Sequence, residues 1–184
     1  MTTETALTEY PKTVVLLDGT HLVLRPSGPE DTEAVASLVA RLAADEQWYV
    51  GHDLRISAAR AEAGELLGVL ALDGERVVGW ATLERTDEGS RRHAARVSLV
   101  LDPEFRGRRL GTWMLLDCVH VAGILGAERL VAEVPEHRRD HIAALRRLDF
   151  TEEAILRDAH RTPTGEPEAA VVLVKTLHPA WGDF

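Results

Sequence analysis

The stretch Val97-Ser98-Leu99-Val100-Leu101-Asp102-Pro103-Glu104-Phe105-Arg106-Gly107-Arg108-Arg109-Leu110-Gly111 constrains the fold more than any other part of the chain. Val97 to Leu101 suits a strand, and Asp102-Pro103 stops it because proline cannot donate to a sheet ladder. Gly111 then opens a helix in which Leu110, Met114, Cys118, Val121 and Leu125 share one face. A strand joined so closely to an amphipathic helix must lay that helix across its own sheet. The turn between them presents unpaired backbone N–H groups and a positive dipole end, a setting for an anion. From Arg91 to Arg109 six arginines stand against Asp102 and Glu104, a local +4 in a chain of net charge −9. Such an island suits a polyphosphate ligand. A solvated loop with ordinary arginines is the plain alternative, and the flanking strand and helix argue against it. With no Gly-Lys-Ser/Thr and no GxGxxG, the loop is neither a P-loop nor a dinucleotide fingerprint.

The remaining pattern alternates hairpins and helices. Val14–Leu17 and Thr20–Arg25 flank Asp18-Gly19, a two-residue hairpin turn. Ser27-Gly28-Pro29-Glu30 has capping-box spacing, and Val35, Leu38, Val39 and Leu42 behind it predict a helix. Asp45–Leu54 breaks that period and carries Trp48 and Tyr49; a shorter helix capped by Ser57 is expected to end at Leu66 and Leu67. Gly68–Leu72 and Glu75–Glu84 flank the turn Asp73-Gly74, Thr86–His93 reads as a loop, and Ala94–Leu101 is the next strand. After the central helix, which Gly126 ends, Leu130–Val134 predicts a strand stopped by Pro135. Ile142, Leu145 and Leu148 predict a helix. Phe150–Arg157 and Ala169–Leu177 predict two strands joined by the loop Ala159–Pro167. The order is that of one mixed α/β sheet, not a doubly wound parallel one. The expected division is a flexible N-terminus over 1–12, a single domain over 13–178 and a tail over 179–184.

Composition narrows the function. At 184 residues the chain is one domain's worth, and its net charge of −9 argues against a general nucleic-acid binder. The longest apolar-plus-glycine runs, Leu66–Leu72 and Val121–Ala127, are seven residues each, against the roughly 20 that a membrane span needs. Met1–Tyr10 lacks a signal-peptide pattern. The single Cys118 excludes an internal disulfide, and no Cys/His cluster has zinc spacing. A cytoplasmic, metal-free protein without nucleic-acid or membrane partners is expected.

At Arg106 to Gly111 the chain resembles the GCN5-related N-acetyltransferase (GNAT) family, whose members carry R/Q-x-x-G-x-G/A there, typically after a strand ending in V-x-P. The resemblance covers about Val14 to Leu177. Asp18-Gly19-Thr20, Leu24-Arg25-Pro26, Pro29-Glu30-Asp31 and Arg146-Arg147-Leu148-Asp149-Phe150 look like the bacterial protein-lysine acetyltransferases, although a typical member has Leu-Gly-Phe at the end of the last. It implies an α/β (α+β) fold with a mixed, mostly antiparallel sheet. About four helices would flank the sheet, which splays between its two central strands, Ala94–Leu101 and Leu130–Val134. It implies acetyl-CoA as acyl donor, with the pyrophosphate on Arg106, Gly107, Arg108, Arg109, Leu110, Gly111 and Thr112. The pantetheine would run beside Leu99, Val100 and Leu101 like an added strand. The acceptor would be a primary amine, either a protein lysine or a small molecule. The oligomeric state stays open, with a homodimer among the options.

Three positions depart from the family pattern. Arg109 replaces the first motif glycine and is expected to keep a negative φ, its guanidinium adding a phosphate contact. Leu145 stands where a tyrosine usually protonates the departing thiolate, with Arg138 at the asparagine position seven residues earlier. Arg96 stands where lysine acetyltransferases place a glutamate base. Glu133, on the strand facing the gap, is the candidate replacement base, since partial burial makes a carboxylate a better base. An ion pair with an arginine is its structural alternative. Ser98 shares the side of Arg96 and is a candidate for orienting a water. Trp48 and Tyr49 are candidates for the acceptor wall, and His93, His137 and His141 are the titratable groups near the segment. Cys118 is expected in the core. An acyl-CoA-binding module without turnover is the alternative function, and a phosphate-binding protein unrelated to acetyl transfer ranks last.

Overall fold

Asp18-Gly19 closes the first hairpin, with Gly19 at φ 83. β1 (Lys12–Val15) and β2 (His21–Pro26) pair antiparallel with Val14 opposite Leu22. The structure, a computed structural model, describes residues 7–50, 66–85 and 89–177. Arg25 at the end of β2 is held by Asp31 through two contacts of 2.7 and 2.6 Å, and the Gly28 N–H donates to the same carboxylate at 2.9 Å. The cap is therefore Gly28 with Asp31 rather than Ser27, whose backbone N–H is committed to the Gly68 carbonyl. A 3₁₀ turn, Pro29–Asp31, leads into α1 (Thr32–Ala40), and residues 44–50 are also helical. The expected helix capped by Ser57 lies outside the described residues.

β3 (Leu66–Asp73) contains Leu66 and Leu67, which the pattern placed at a helix end. They pair with Glu84 and Leu83 of β4 (Arg76–Arg85). The strand is flanked on both sides and largely buried, so its run is continuously apolar, a pattern that periodicity cannot tell from a helix end. β5 (Ala94–Leu101) follows, then a 3₁₀ turn (Pro103–Phe105), α2 (Leu110–Ile124), β6 (Arg129–Pro135), α3 (Arg139–Arg146), β7 (Thr151–Arg161) and β8 (Pro167–Thr176). β7 runs to Arg161, into the expected Ala159–Pro167 loop. As an edge strand exposed along most of its length, it shows no apolar alternation that could have marked its end.

The sheet order is β1-β2-β3-β4-β5-β6-β8-β7, and β5 with β6 is its parallel pair. One face carries the main core, where Val97, Leu130, Ala132 and Leu173 meet Leu110, Met114, Cys118 and Val121 of α2 and Ile142 and Leu145 of α3. The other face packs Val35 and Leu38 of α1 on Leu70, Val77 and Trp80. Gly79 lets α2 approach closely: a Cβ there would stand 2.6 Å from the Met114 sulfur. Replacing a fully buried residue such as Leu130 by Ala would cost about 2–5 kcal/mol.

The parallel pairing of β5 and β6 is short. It holds Ala94, Ala95 and Arg96 against Arg129, Leu130 and Val131 and then stops. β5 stays with β4 as far as Leu101 opposite Gly79, and β6 stays with β8 as far as Pro135 opposite Ala170. The sheet therefore opens between two well-supported banks, and Val97–Leu101 faces a gap rather than a neighbouring strand.

Candidate active site

The gap ends at the turn between β5 and α2. Asp102, 1 % exposed, anchors the turn: it accepts from Arg41 Nε at 2.6 Å, Arg76 Nη2 at 2.8 Å and the Glu104 N–H at 3.1 Å. Burial pushes this carboxyl up, but those donors outweigh it and hold it below the usual range. Phe105 is buried beneath the Arg108 guanidinium, 4.7 Å from its ring centre. Past it, Arg106 is extended, while Gly107 and Arg109 both take φ 71. The first hydrogen bond of α2 runs from the Trp113 N–H to the Arg109 carbonyl at 3.1 Å. The N–H groups of Leu110, Gly111 and Thr112 precede it and lie outside the helical ladder.

Arg109 thus corrects the expectation of a negative φ. Its left-handed backbone makes the turn into the helix that the family's glycine makes. Its side chain is exposed and has no ion pair among the described residues. The neighbouring arginines are committed within the protein. Arg106 grips Glu46 with two contacts of 2.9 and 3.0 Å and also donates to the Leu101 carbonyl. Arg108 binds Asp18 and Thr20 Oγ1 of the first hairpin turn. What the loop offers a ligand is its backbone. At Gly107 a Cβ would meet nothing within 4 Å, so the space above that turn is open.

Glu46 was not a sequence candidate. It is 9 % exposed and also accepts from Arg138 at 3.2 Å, while Asp45 accepts from Arg138 at 2.8 Å. The helical segment 44–50 is thereby tied to both the loop and the start of α3. Burial raises the Glu46 carboxyl, but the Arg106 hydrogen bond and the charges of Arg106 and Arg138 overcome it and hold the group low. His141 is lowered by burial and by the same two arginines. Leu145 is buried in the main core, and His93 lies at the paired end of the two strands, its carbonyl accepting from Glu128 and Arg129.

Two residues beyond the last β5–β6 pair, Ser98 and Glu133 stand on opposite banks of the opening. Glu133, 22 % exposed, has Arg96 Nη2 at 3.6 Å from one carboxylate oxygen and His160 Nε2 at 3.6 Å from the other. Tyr49 donates to Glu168, which also binds His137 Nδ1. Burial first, and then the Glu168 hydrogen bond and charge, push the Tyr49 hydroxyl up to about 12, so it is a neutral donor. Glu168 is raised by burial, and its bonds from Tyr49 and His137 outweigh that and lower it. The Tyr49 ring lies 5.8 Å from both His137 and His160, and Trp48 Nε1 donates to the Arg161 carbonyl at 2.6 Å. Glu168 and His160 escaped the sequence reading because only the β7–β8 register sets them opposite one another.

The profile of the Acetyltransferase (GNAT) family matches residues 30–150, about two thirds of the chain. The chain belongs to the GNAT acetyltransferase family. Acetyl-CoA is this family's acyl donor, and the open sheet with its free loop N–H groups fits such a molecule. Solved structures share the GNAT fold at low identity. The GNAT domain of S. lividans PAT superposes with a TM-score of 0.75 at 20% identity, covering 92% of this chain and 98% of that one. The Salmonella typhimurium protein yncA with its cofactor acetyl-CoA gives 0.66 at 20%, covering 85% and 94%. The ribosomal-protein alanine N-acetyltransferase of Escherichia coli gives 0.69 at 18%, covering 89% and 98%. No curated protein matches the chain. In this GNAT chain no described helix is long and apolar enough to cross a membrane.

Proposed function

We propose that this GNAT chain transfers an acetyl group from acetyl-CoA directly to a primary amine, on a protein lysine or a small molecule. The observation that carries the reading is the early end of the parallel pairing at Arg96 and Val131, with Glu133 on the bank of the opening. The pantetheine lies along Leu99, Val100 and Leu101, whose outward polar groups have no strand partner. The pyrophosphate is held by the backbone N–H groups of Arg106 to Thr112 at the head of α2. The Arg106 and Arg108 guanidiniums hold the loop in shape, and Arg109 is the side chain left to face solvent or ligand.

The amine nitrogen attacks the thioester carbonyl, a backbone N–H of β5 supports the oxyanion, and the carbon–sulfur bond breaks with its electron pair on sulfur. The nitrogen's proton passes to Glu133, with Ser98 across the opening to orient a water. Trp48 and Tyr49, fixed by Arg161 and Glu168, wall the acceptor side. Positioning of two bound reactants supplies much of the rate. That eases the demand on an acid, for which the buried Leu145 has no proton to give.

The test is thiol release from acetyl-CoA across a panel of lysine peptides and small amines, beside a calorimetric titration of acetyl-CoA alone. Amine-dependent release with saturable acetyl-CoA binding is the expected result. Arg96 and Leu145 at the family's acid–base positions favour a second reading, an acyl-CoA-binding module without turnover. Binding without release against every amine would establish that module instead.

A further inference from the structure

We infer that His160 is a positioning residue for acetyl transfer, holding the Glu133 carboxylate toward the acceptor amine. The inference rests on the proposed role of Glu133 as proton acceptor. His160 is set in place by an irregularity of β7. Leu156 pairs with Ala170 and His160 with Glu168, so three residues of β7 span the interval in which β8 has only Ala169. Asp158, inside that bulge, takes φ 55, a left-handed backbone that non-glycine residues seldom adopt. A regular strand would have set Asp158 opposite Glu168. The bulge substitutes an imidazole for that carboxylate, and bulges recur where a side chain must be re-aimed at a site.

The surroundings of the ring leave one use for its Nε2. That nitrogen is buried and has no hydrogen-bond partner. A buried polar atom left unpaired costs folding free energy, so its place calls for a reason. Glu168 is already engaged by Tyr49 and His137, and Tyr49 meets the His160 ring edge-on at 87°. The nearest acceptor is Glu133 Oε1 at 3.6 Å, just beyond hydrogen-bond length. Arg96 stands at the same 3.6 Å from Oε2. The carboxylate is thus flanked by two loose donors and fully claimed by neither. A slight closure of His160 onto Oε1 fixes the carboxylate plane while leaving Oε2 able to take the amine's proton.

The experiment is a double-mutant cycle on the full chain, reading kcat and KM for the amine and the affinity for acetyl-CoA. Glu133→Gln is expected to lower kcat about 100-fold or more, the scale of a lost general base. His160→Ala is expected to lower kcat about tenfold, with acetyl-CoA affinity unchanged, and to add little in the Glu133→Gln background. His160→Gln, which keeps a donor near Nε2, is expected to recover most of the loss; that recovery separates positioning from a folding defect. The inference is overturned by a His160→Ala enzyme with wild-type kcat. It is equally overturned by effects that multiply in the double variant, or by a His160→Gln enzyme as slow as His160→Ala. A Glu133→Gln enzyme with wild-type kcat, or a wild type inert toward every amine, removes the proposed base and this inference with it.

Discussion

Arg109 and Asp149 stand where relatives of this chain carry glycine, and both hold the backbone that glycine would supply, at φ 71 and φ 62. At Asp149 the arrangement is a helix stop: the Phe150 N–H reaches back to the Leu145 carbonyl at 3.2 Å and closes α3. Aspartate visits the left-handed region more readily than most side chains. Arg109 has no such help, and its conformation costs about 1 kcal/mol. Arg109→Gly is therefore expected to raise the melting temperature by about 2–4 °C for a chain of this size, a shift thermal unfolding would register. Acetyl-CoA affinity should stay equal or rise. A marked loss of affinity in the same variant would show that the exposed guanidinium binds phosphate.

At the scale of elements, the segment 44–50 matters for what it joins. Glu46 links it to Arg106 of the loop and Arg138 at the start of α3, and Trp48 and Tyr49 link it to β7 and β8. The acceptor wall and the cofactor loop thus share one helical segment. Its central carboxyl is held below its unfolded value, so the folded state binds fewer protons through the acid range. The stability it contributes is present above the ordinary glutamate range and fades as pH falls through the folded value. Glu46→Gln is expected to be less stable than wild type at pH 7 by about 1–3 kcal/mol. That difference should shrink toward pH 4, and melting curves at both pH values would measure it. A gap independent of pH would mean that the ionised carboxylate is not the source.

At the scale of the molecule, the sheet is two well-paired blocks that part between β5 and β6. Each bank is paired with its outer neighbour, β4 on one side and β8 on the other, so the opening is a rigid feature of the architecture. A ligand strand laid into it would complete the ladder. With acetyl-CoA bound, hydrogen exchange is expected to slow at those amides of Val97–Leu101 that face away from β4, and at Gly107 to Thr112. Ala94 to Arg96, already paired with β6, should change little. Equal slowing everywhere would indicate general stabilisation by binding rather than occupation of the gap.

The sequence by itself determined what depends on neighbours along the chain. The Asp18-Gly19 and Asp73-Gly74 turns, the amphipathic face of α2 and the strand–loop–helix segment at 97–111 are all local, and so were legible. The motif Arg106 to Gly111 was legible as well, because a backbone-binding loop has to be written in a few adjacent residues. What only the tertiary structure decided is which distant side chains meet. Strand register placed His160 opposite Glu168 and brought Glu133 between His160 and Arg96, and no spacing in the chain encodes that. The same holds for Glu46, whose two arginines lie 60 and 92 residues away. Burial then fixed the charge states of these groups, and burial belongs to the packed sheet rather than to any segment of it.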